Sequence, residues 1–226
     1  WGELFFWDGR AESLEEQALG PIASQDEMRQ PLNELVTELE GIKGYKPLFE
    51  AAFPGQGISD TTISQAIATY ERTIVSGEAP FDHYVKGDEA AISLAAKRGF
   101  ILFNEKAQCS ACHNGWNFTD WGFHDIGIDD EDIGRYAILD IDALKHAFKT
   151  PGLRNIAERA PYMHNGSIPT LEAMVDHYND GFVERPSLST SITKLGLTEG
   201  EKADLIAFLQ TLSSKDEAPT IPALPH

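Results

Sequence analysis

The chain has 226 residues, of which 36 are acidic and 18 are basic, so its formal net charge is −18. This acidic excess argues against binding to nucleic acid or to an anionic membrane, because contact with phosphate needs Lys and Arg. It fits an exported protein that docks a basic partner, and it would equally serve solubility. No apolar run reaches the ~20 residues that span a bilayer, and no signal peptide is evident.

Helical patterns dominate the first part of the chain. The stretch "SLEEQALGP" opens with a capping box from Ser13 to Glu16 and predicts a helix that stops at Gly20 and Pro21. The stretch "ISQAIATYERTI" predicts a second helix with one apolar face. That face is expected to consist of Ile63, Ala66, Ile67, Tyr70 and Ile74.

The polar, turn-rich stretch "EAPFDHYVKGDE" predicts a boundary between two domains, residues 1–80 and 81–226. Beyond it, "AISLAAKRGFILF" predicts a helix that ends shortly before the stretch "CSACHNG". Residues 114–169 then carry few helical or strand signals. So long an irregular segment is uncommon in a compact domain, but it has a packing surface if it wraps around a large apolar group.

"CSACHNG", residues 109–115, contains the only two cysteines of the sequence. A C-x-x-C redox pair would normally open a helix in a βαβ setting, which the surrounding sequence does not show. A zinc site would need a second close pair of Cys or His, and none follows. The pattern C-x-x-C-H is that of covalent haem attachment, in which the thiols bond the porphyrin and the His ligates the iron. We therefore interpret Cys109, Cys112 and His113 as a haem c site.

The closing stretch "LTEGEKADLIAFLQTLS" predicts a helix that begins with a capping box from Thr198 to Glu201. Its apolar stripe consists of Leu205, Phe208, Leu209 and Leu212. A helix just before C-x-x-C-H and a closing helix are typical of cytochrome c domains, in which the two cross. Gly99, with Phe100 and Phe103, would allow that close approach. The sequence thus predicts a mostly α fold built from cytochrome c-like domains.

Three stretches resemble the bacterial di-haem cytochrome c peroxidase and MauG family: "FFWDGRAESLEEQALGPI", "FDHYVKGD" and "KTPGLRNIAERAPYMHNGSIPTLEAMVDHY". The resemblance covers nearly the whole chain and implies two cytochrome c-like domains, each with one covalent haem. The family's first haem motif lies upstream of "FWDGRA", so we expect the segment with the first haem to be missing from this sequence. Residues 1–80 would be the remainder of the first, peroxidatic domain, and residues 81–226 the second.

The resemblance implies catalytic roles for three residues near the start of the sequence. Trp7 matches a Trp that lies between the two haems and relays electrons. Gln17 matches a Gln that lines the pocket of the peroxide-reacting haem, and Glu27 matches a Glu that handles the protons of bound peroxide. The three residues are ten positions apart, as the family requires.

The ligand on the second face of the second haem is expected on the helix "TLEAMVDHY". At 100° per residue its apolar face consists of Leu171, Met174, Val175 and Tyr178, with His177 about a quarter-turn away. The family's ligand position maps on Tyr178, where family peroxidases have Met and MauG-type enzymes have Tyr. Met174, one turn earlier, is the alternative ligand, and Tyr178 could instead be a core residue. Met163 and His164, in "APYMHNGS", occupy positions where the family carries a packing aromatic residue and a His, so a structural role is expected for both.

The resemblance also implies a calcium site. The family binds Ca²⁺ partly through carbonyl oxygens of Thr and Pro in "TAPY", and Arg159 and Pro161 occupy those places here. A Trp that MauG uses towards its protein substrate, two residues before its second haem motif, is replaced by Ala107. Trp116 and Trp121 are nearby alternatives for which core packing is the expected role.

The function implied by these matches is that of a periplasmic, peroxide-dependent di-haem c oxidoreductase of MauG type. It would pass electrons between a high-valent haem site and a protein redox partner or substrate. One alternative is a cytochrome c peroxidase that reduces H2O2 with electrons from a small cytochrome. Another is a single-haem electron-transfer cytochrome without enzymatic activity.

Overall fold

The computed structural model describes residues 1–216 and 219–226, which form two compact units. The first unit contains residues 1–6, 10–75 and 219–226, and the second contains residues 7–9 and 76–216. In the described part of the chain, eight α-helices and one two-stranded sheet are present. The predominance of helices confirms the predicted mostly α fold.

The helices of the first unit are α1 (Leu14–Ala23), α2 (Leu32–Gly41), α3 (Tyr45–Ala52) and α4 (Asp60–Glu71). Those of the second unit are α5 (Pro80–Val85), α6 (Leu94–Asn104), α7 (Leu171–Asp176) and α8 (Glu199–Gln210). The antiparallel strands, also in the second unit, are β1 (Phe123–His124) and β2 (Phe148–Lys149). Among the described residues, no helix is both long and apolar enough to cross a bilayer.

Helix α1 begins as predicted but ends later. The Ser13 hydroxyl accepts the N–H of Glu16 at 3.1 Å, which caps the first turn. The helix then passes through Pro21 and ends at Ala23, so the predicted stop at Gly20 was wrong. Gly20 serves close packing instead, because a Cβ there would lie 2.9 Å from the ring of Phe6.

Helix α4 is confirmed, but its predicted inner face was only partly correct, because Ile63 is buried and three of the other positions are not. Ala66, Tyr70 and Ile74 are exposed, and Ile74 lies beyond the end of the helix. The buried residues of α4 are Thr62, Ile63, Ser64 and Ala68. Hydrogen bonding explains part of this, because the Thr62 hydroxyl donates to the carbonyl of Gly57 at 3.0 Å and accepts from the N–H of Ser59 at 2.9 Å. The small inner side chains let α4 pack against α1.

The core of the second unit forms where α6 crosses α8. A Cβ on Gly99 would overlap the carbonyl oxygen of Asp204 and lie 2.8 Å from Cβ of Phe208, so the two backbones approach to a distance that only Gly allows. The rings of Phe103 and Phe208 pack 5.1 Å apart. The predicted stripe of α8 is buried throughout: Leu205, Phe208, Leu209 and Leu212. The predicted crossing is therefore confirmed.

The stretch that was predicted to be turns contains helix α5. Pro80 occupies its first position, and the Asp82 carboxylate accepts the N–H of Ala79 at 2.8 Å, so both start signals were present in the sequence. Phe81 is buried, with its ring 5.0 Å from that of Phe100. Asp82 also accepts two hydrogen bonds of 2.9 Å from the Arg154 guanidinium. The segment is thus part of the core.

Gly99→Ala should destabilise the second unit, because neither helix backbone can move away without opening the phenylalanine core. We expect a loss of about 1–3 kcal/mol in free energy of unfolding, the usual range for overpacking. Gly200→Ala is the matched control, since a Cβ there meets nothing within 4 Å, and it should be neutral or slightly stabilising. Denaturant unfolding of the haem-loaded protein measures both variants. Equal stability of Gly99→Ala and wild type would contradict the crossing.

Candidate functional site

A large apolar cavity lies inside the second unit, beside the "CSACHNG" turn. Its empty volume, including the open mouth, is about 1280 Å³. The walls come from α6, the irregular segment, α7 and α8. The candidate residues for haem attachment, iron ligation and electron relay line this cavity together: Trp7, Cys109, Cys112, His113, Met174 and Tyr178.

The two cysteines enter the cavity from one short turn. A single 3₁₀ turn, Cys109–Ala111, follows Gln108, whose φ of 50° is in the left-handed region. Both thiols are free, and that of Cys109 donates to the carbonyl of Ala107 at 3.6 Å. Burial raises the pKa of the Cys109 thiol to about 12, so the thiol is protonated near neutral pH. The pair is therefore available for thioether formation.

His113 is held in the orientation of a metal ligand. Its Nδ1 is 2.9 Å from the carbonyl oxygen of Phe118, and a carbonyl on one ring nitrogen is the usual way in which a metal-binding imidazole is fixed. Phe118 adopts a left-handed φ of 55°, an uncommon conformation for an aromatic residue. Burial lowers the pKa of His113, which keeps the ring neutral as ligation requires.

Another part of the wall is formed where helix α7 continues into a π-helical turn, His177–Gly181. Met174 and Tyr178 both face the cavity. The ring of His177 instead binds the carbonyl of Ile126 through Nε2 at 2.9 Å, so this ring nitrogen is already used. Burial raises the pKa of the Tyr178 phenol, and the sulfurs of Cys109 and Cys112 add to the effect.

Asp120 and His124 form a polar edge of the site that sequence reasoning missed. His124 Nε2 lies 2.8 Å from Asp120 Oδ2, and together with Cys112 these groups lie within 4.8 Å of one another. The hydrogen bond with Cys112 is the main cause that raises the pKa of His124 to about 9. No pattern in the sequence indicated this contact, because the irregular backbone creates it.

Met163 and His164 line the cavity beside the β2 strand. The His164 ring stacks on the ring of Phe148 with 3.5 Å between centroids and 10° between planes. Its Nε2 lies 2.6 Å from Asp130 Oδ2. These contacts fit the packing role expected for this stretch.

The remaining predicted residues do not line the cavity. Gln17 is half-buried on α1 and Glu27 is exposed after it, both in the first unit. Arg159 and Pro161, the candidate carbonyl ligands of calcium, are exposed in the second unit.

Trp116 and Trp121 were expected to pack in the core, and that expectation was wrong. Their exposed fractions are 55% and 36%. A cation lies near each ring: the Arg154 guanidinium is 5.8 Å from the Trp116 ring, and the Lys149 ammonium is 6.0 Å from that of Trp121. Trp7 is 41% exposed but does reach the cavity, where its carbonyl accepts the N–H of Lys149 at 2.8 Å.

A buried ion pair holds a further wall of the cavity. Arg185 donates to both carboxylate oxygens of Asp125, at 2.7 and 2.6 Å, and Ser187 adds a bond of 2.7 Å. Burial alone would raise the pKa of Asp125, but the bonds from Arg185, Gly127 and Ser187 hold it below its usual value. The ion pair fixes the stretch that leads to Ser191, Ile192 and Thr193 in the cavity wall.

The fold and the site define a cytochrome c-like unit with a C-x-x-C-H turn beside an apolar cavity. A sequence model described as di-haem cytochrome c peroxidase matches residues 1–90, and one described as RoxA-like, cytochrome c-like matches residues 147–180.

Two relatives are named methylamine utilization protein MauG. That of Methylorubrum extorquens is 48% identical over all of this chain and 65% of its own length. That of Methylophilus methylotrophus is also 48% identical, over 98% of this chain and 68% of its own length. The chain thus spans about two thirds of each relative.

Among solved structures, a MauG-like protein associated with microbial copper homeostasis superposes with a TM-score of 0.84. It is 33% identical, over 95% of this chain and 73% of that one. The chain belongs to the di-haem cytochrome c peroxidase and MauG family, which confirms the predicted resemblance and the cytochrome c-like fold. Haem c is therefore its class of cofactor.

Asp125→Asn should destabilise the second unit by about 3–5 kcal/mol near neutral pH, because Arg185 keeps its charge without a buried partner. The native pKa of Asp125 is lowered, so its stabilising contribution is present above the ordinary Asp pKa of ~3.9 and is lost as the pH falls through the native value. The difference between wild type and variant should therefore shrink in acid. Thermal unfolding across pH measures it.

Asp142→Asn is the control, because its partner Lys145 and the carboxylate itself are exposed, and such surface pairs contribute little to stability. A pH-independent difference for Asp125→Asn would mean that the carboxylate charge is not what stabilises the wall.

Proposed function

We propose that this chain is part of a MauG-type di-haem oxidoreductase, in which it would supply the remainder of the first domain and the whole of the second-haem domain, and that the enzyme uses H2O2 to oxidise a protein partner or substrate. The observation that carries the proposal is the cavity in which Cys109, Cys112 and His113 lie together with Tyr178 and Trp7. The 48% identity to proteins named MauG supports the same activity.

The residues of the cavity suit a covalently held haem. Cys109 and Cys112 would tether the macrocycle, and His113, fixed by the Phe118 carbonyl, would provide the proximal ligand. The apolar walls would exclude water and limit the polarity around the group. When bound, haem supplies one-electron redox chemistry at its iron.

Trp7 is proposed to carry electrons to and from this cavity. Its indole is an oxidisable aromatic group on the cavity wall, and the hydrogen bond from the Lys149 N–H to its carbonyl holds the backbone in place. Gln17 and Glu27 are proposed to serve the peroxide pocket of the first haem. There Gln17 would orient bound peroxide, and the Glu27 carboxylate would accept and return its proton.

A second candidate function is that of a cytochrome c peroxidase that takes electrons from a small cytochrome. Met174 favours it, because this thioether lines the same cavity as the Tyr178 phenol. A soft thioether favours reduced iron and a higher potential, whereas a phenolate favours oxidised iron. The identity of the ligand therefore separates the two functions.

The remaining parts of the proposal concern cofactors and location. The complete protein would carry two haem groups and a Ca²⁺ ion held partly by the carbonyl oxygens of Arg159 and Pro161. Carbonyl oxygens are hard ligands of the kind that Ca²⁺ prefers. Because bacteria attach haem c outside the cytoplasm, we place the protein in the periplasm.

Trp7→Phe tests the relay in the complete protein with both haems, verified by intact mass. The phenyl ring keeps an aromatic wall but is much harder to oxidise, so oxidation of a protein partner by H2O2 should fall steeply. Both haem absorption spectra should stay as in wild type. Trp116→Phe is the matched control, because Trp116 lies outside the cavity, and it should leave the rate unchanged. An unchanged rate in Trp7→Phe would remove Trp7 from the mechanism.

Tyr178→Met tests the ligand on the second face. If the phenol of Tyr178 binds the oxidised iron, wild type lacks the near-infrared band that a Met sulfur gives. The variant should gain that band and a higher midpoint potential, because a neutral soft ligand replaces an anionic hard one. Redox titration with near-infrared spectroscopy measures both changes.

Met174→Leu is the control for Tyr178→Met and should alter neither the band nor the potential. If Met174→Leu changes the spectrum while Tyr178→Phe does not, then Met174 is the ligand, and the peroxidase function replaces the MauG-type one.

A further inference from the structure

An exposed loop, residues 129–146, combines acidic and aliphatic side chains outside the cavity. We call it the acidic loop. It contains six acidic and two basic residues, a formal net charge of −4. Its exposed acidic positions include Asp129, Glu131 and Asp140. Four large aliphatic side chains are 41–52% exposed in the same loop: Ile133, Ile138, Leu139 and Ile141.

The acidic loop has a defined backbone. Its residues 133–146 are closed into a compact turn, because the N–H of Arg135 donates to the carbonyl of Ala147 at 2.9 Å and the N–H of His146 donates to that of Ile133 at 2.9 Å. The loop between them turns through two short 3₁₀ turns, Arg135–Ala137 and Asp142–Leu144. Compact loops whose ends meet in this way are frequently functional.

Both cations of the loop already have partners within the second unit. The Arg135 guanidinium donates to the carbonyl of Asp8 at 2.8 Å and stacks on the ring of Phe123 at 4.0 Å. Lys145 pairs with Asp142 at 2.8 Å. The electrostatic potential at the outer surface of the loop is therefore negative and is determined by its exposed carboxylates.

The acidic loop is continuous with the cavity wall. The loop ends at residue 146, and after Ala147 come Phe148 and Lys149, which line the cavity. The N–H of Lys149 donates to the carbonyl of Trp7. At the other side, Arg135 binds the carbonyl oxygens of Asp8 and Gly9, directly after Trp7. A protein seated on the loop would thus lie beside the proposed electron relay.

We propose that the acidic loop is the docking surface for a small basic redox protein whose lysines surround an apolar contact face. Exposed aliphatic clusters with a polar rim are typical of protein interfaces. A second copy of this chain fits poorly, because each copy carries a charge of −18 and the two would repel. The redox nature of the partner rests on the proposed function, whereas its binding does not.

Binding of oxidised mitochondrial cytochrome c, a small protein with lysines around its haem edge, tests the proposal. The complete two-haem protein should bind it at low ionic strength and lose affinity as salt is added. Ile138→Ser with Leu139→Ser should weaken binding roughly tenfold or more, the size expected for a central apolar contact. Leu94→Ser with Ile101→Ser removes exposed aliphatic side chains elsewhere in the unit and should change little. Isothermal titration calorimetry gives each dissociation constant.

Charge reversal provides the second arm. Glu131→Lys with Asp140→Lys should slow association and flatten its salt dependence. Glu105→Lys with Glu158→Lys changes the net charge equally at exposed sites outside the loop and should have a much smaller effect. Equal weakening by both pairs, or no binding to wild type, would overturn the proposal.

Coverage of the loop by the rest of the full-length chain is a further outcome to test. Leu139→Cys in the complete protein should react with a maleimide as fast as a free thiol, and protection of this thiol would overturn the proposal. Consumption of H2O2 with a small chemical reductant should be unchanged in all the loop variants. Absent peroxide activity with intact binding would instead reject the proposed function and leave the docking surface standing.

Discussion

The close approach of two backbones at Gly99 is the contact on which the second unit depends. Helix α6 ends shortly before Cys109, and α8 forms the opposite side of the same core, so their crossing sets where the C-x-x-C-H turn begins. The phenylalanine cluster around Phe208 fills the space beneath the crossing and leaves no room for a shift. The position of the C-x-x-C-H turn is therefore a consequence of helix packing, and a Cβ at position 99 would displace it.

The cavity itself is built mainly from irregular backbone, and its order depends on a few specific polar contacts. Thr119 donates to the carbonyl of Thr150 at 2.7 Å, and Asn155 accepts the N–H of Ser214 at 2.8 Å. Asp125 fixes a third stretch through Arg185. Such bonds satisfy buried backbone groups that helices or strands would otherwise satisfy. The wall can therefore be irregular and still present His113 and Tyr178 in defined positions.

Sequence reasoning predicted the parts of this structure that local patterns determine. Capping signals at Ser13 and Thr198, the stripe of α8 and the small residue at position 99 each follow from helix geometry and appear as expected. The inner face of α4 did not fully appear as expected. The packing of Ala68 and the hydrogen bonds of Thr62 determine which side of this helix is buried, and the positions of its apolar residues do not. Nor could the pairing of Asp125 with Arg185 be predicted, since the two lie 60 positions apart without a repeating pattern.

Trp7 belongs to the second unit, although most residues near it in the sequence belong to the first. The residues on either side of the stretch 7–9 belong to the first unit, yet a backbone bond from Lys149 and the guanidinium of Arg135 hold that stretch in the second. The acidic loop carries the exposed acidic and aliphatic side chains, and strand β2, which follows it, lines the cavity. A partner that contacts the loop would therefore lie against the backbone that positions the indole of Trp7. Attraction of the partner and electron transfer to it would then both depend on the acidic loop and the strand β2 that follows it. A change in the charge of the loop would alter the rate of partner association without altering the cavity.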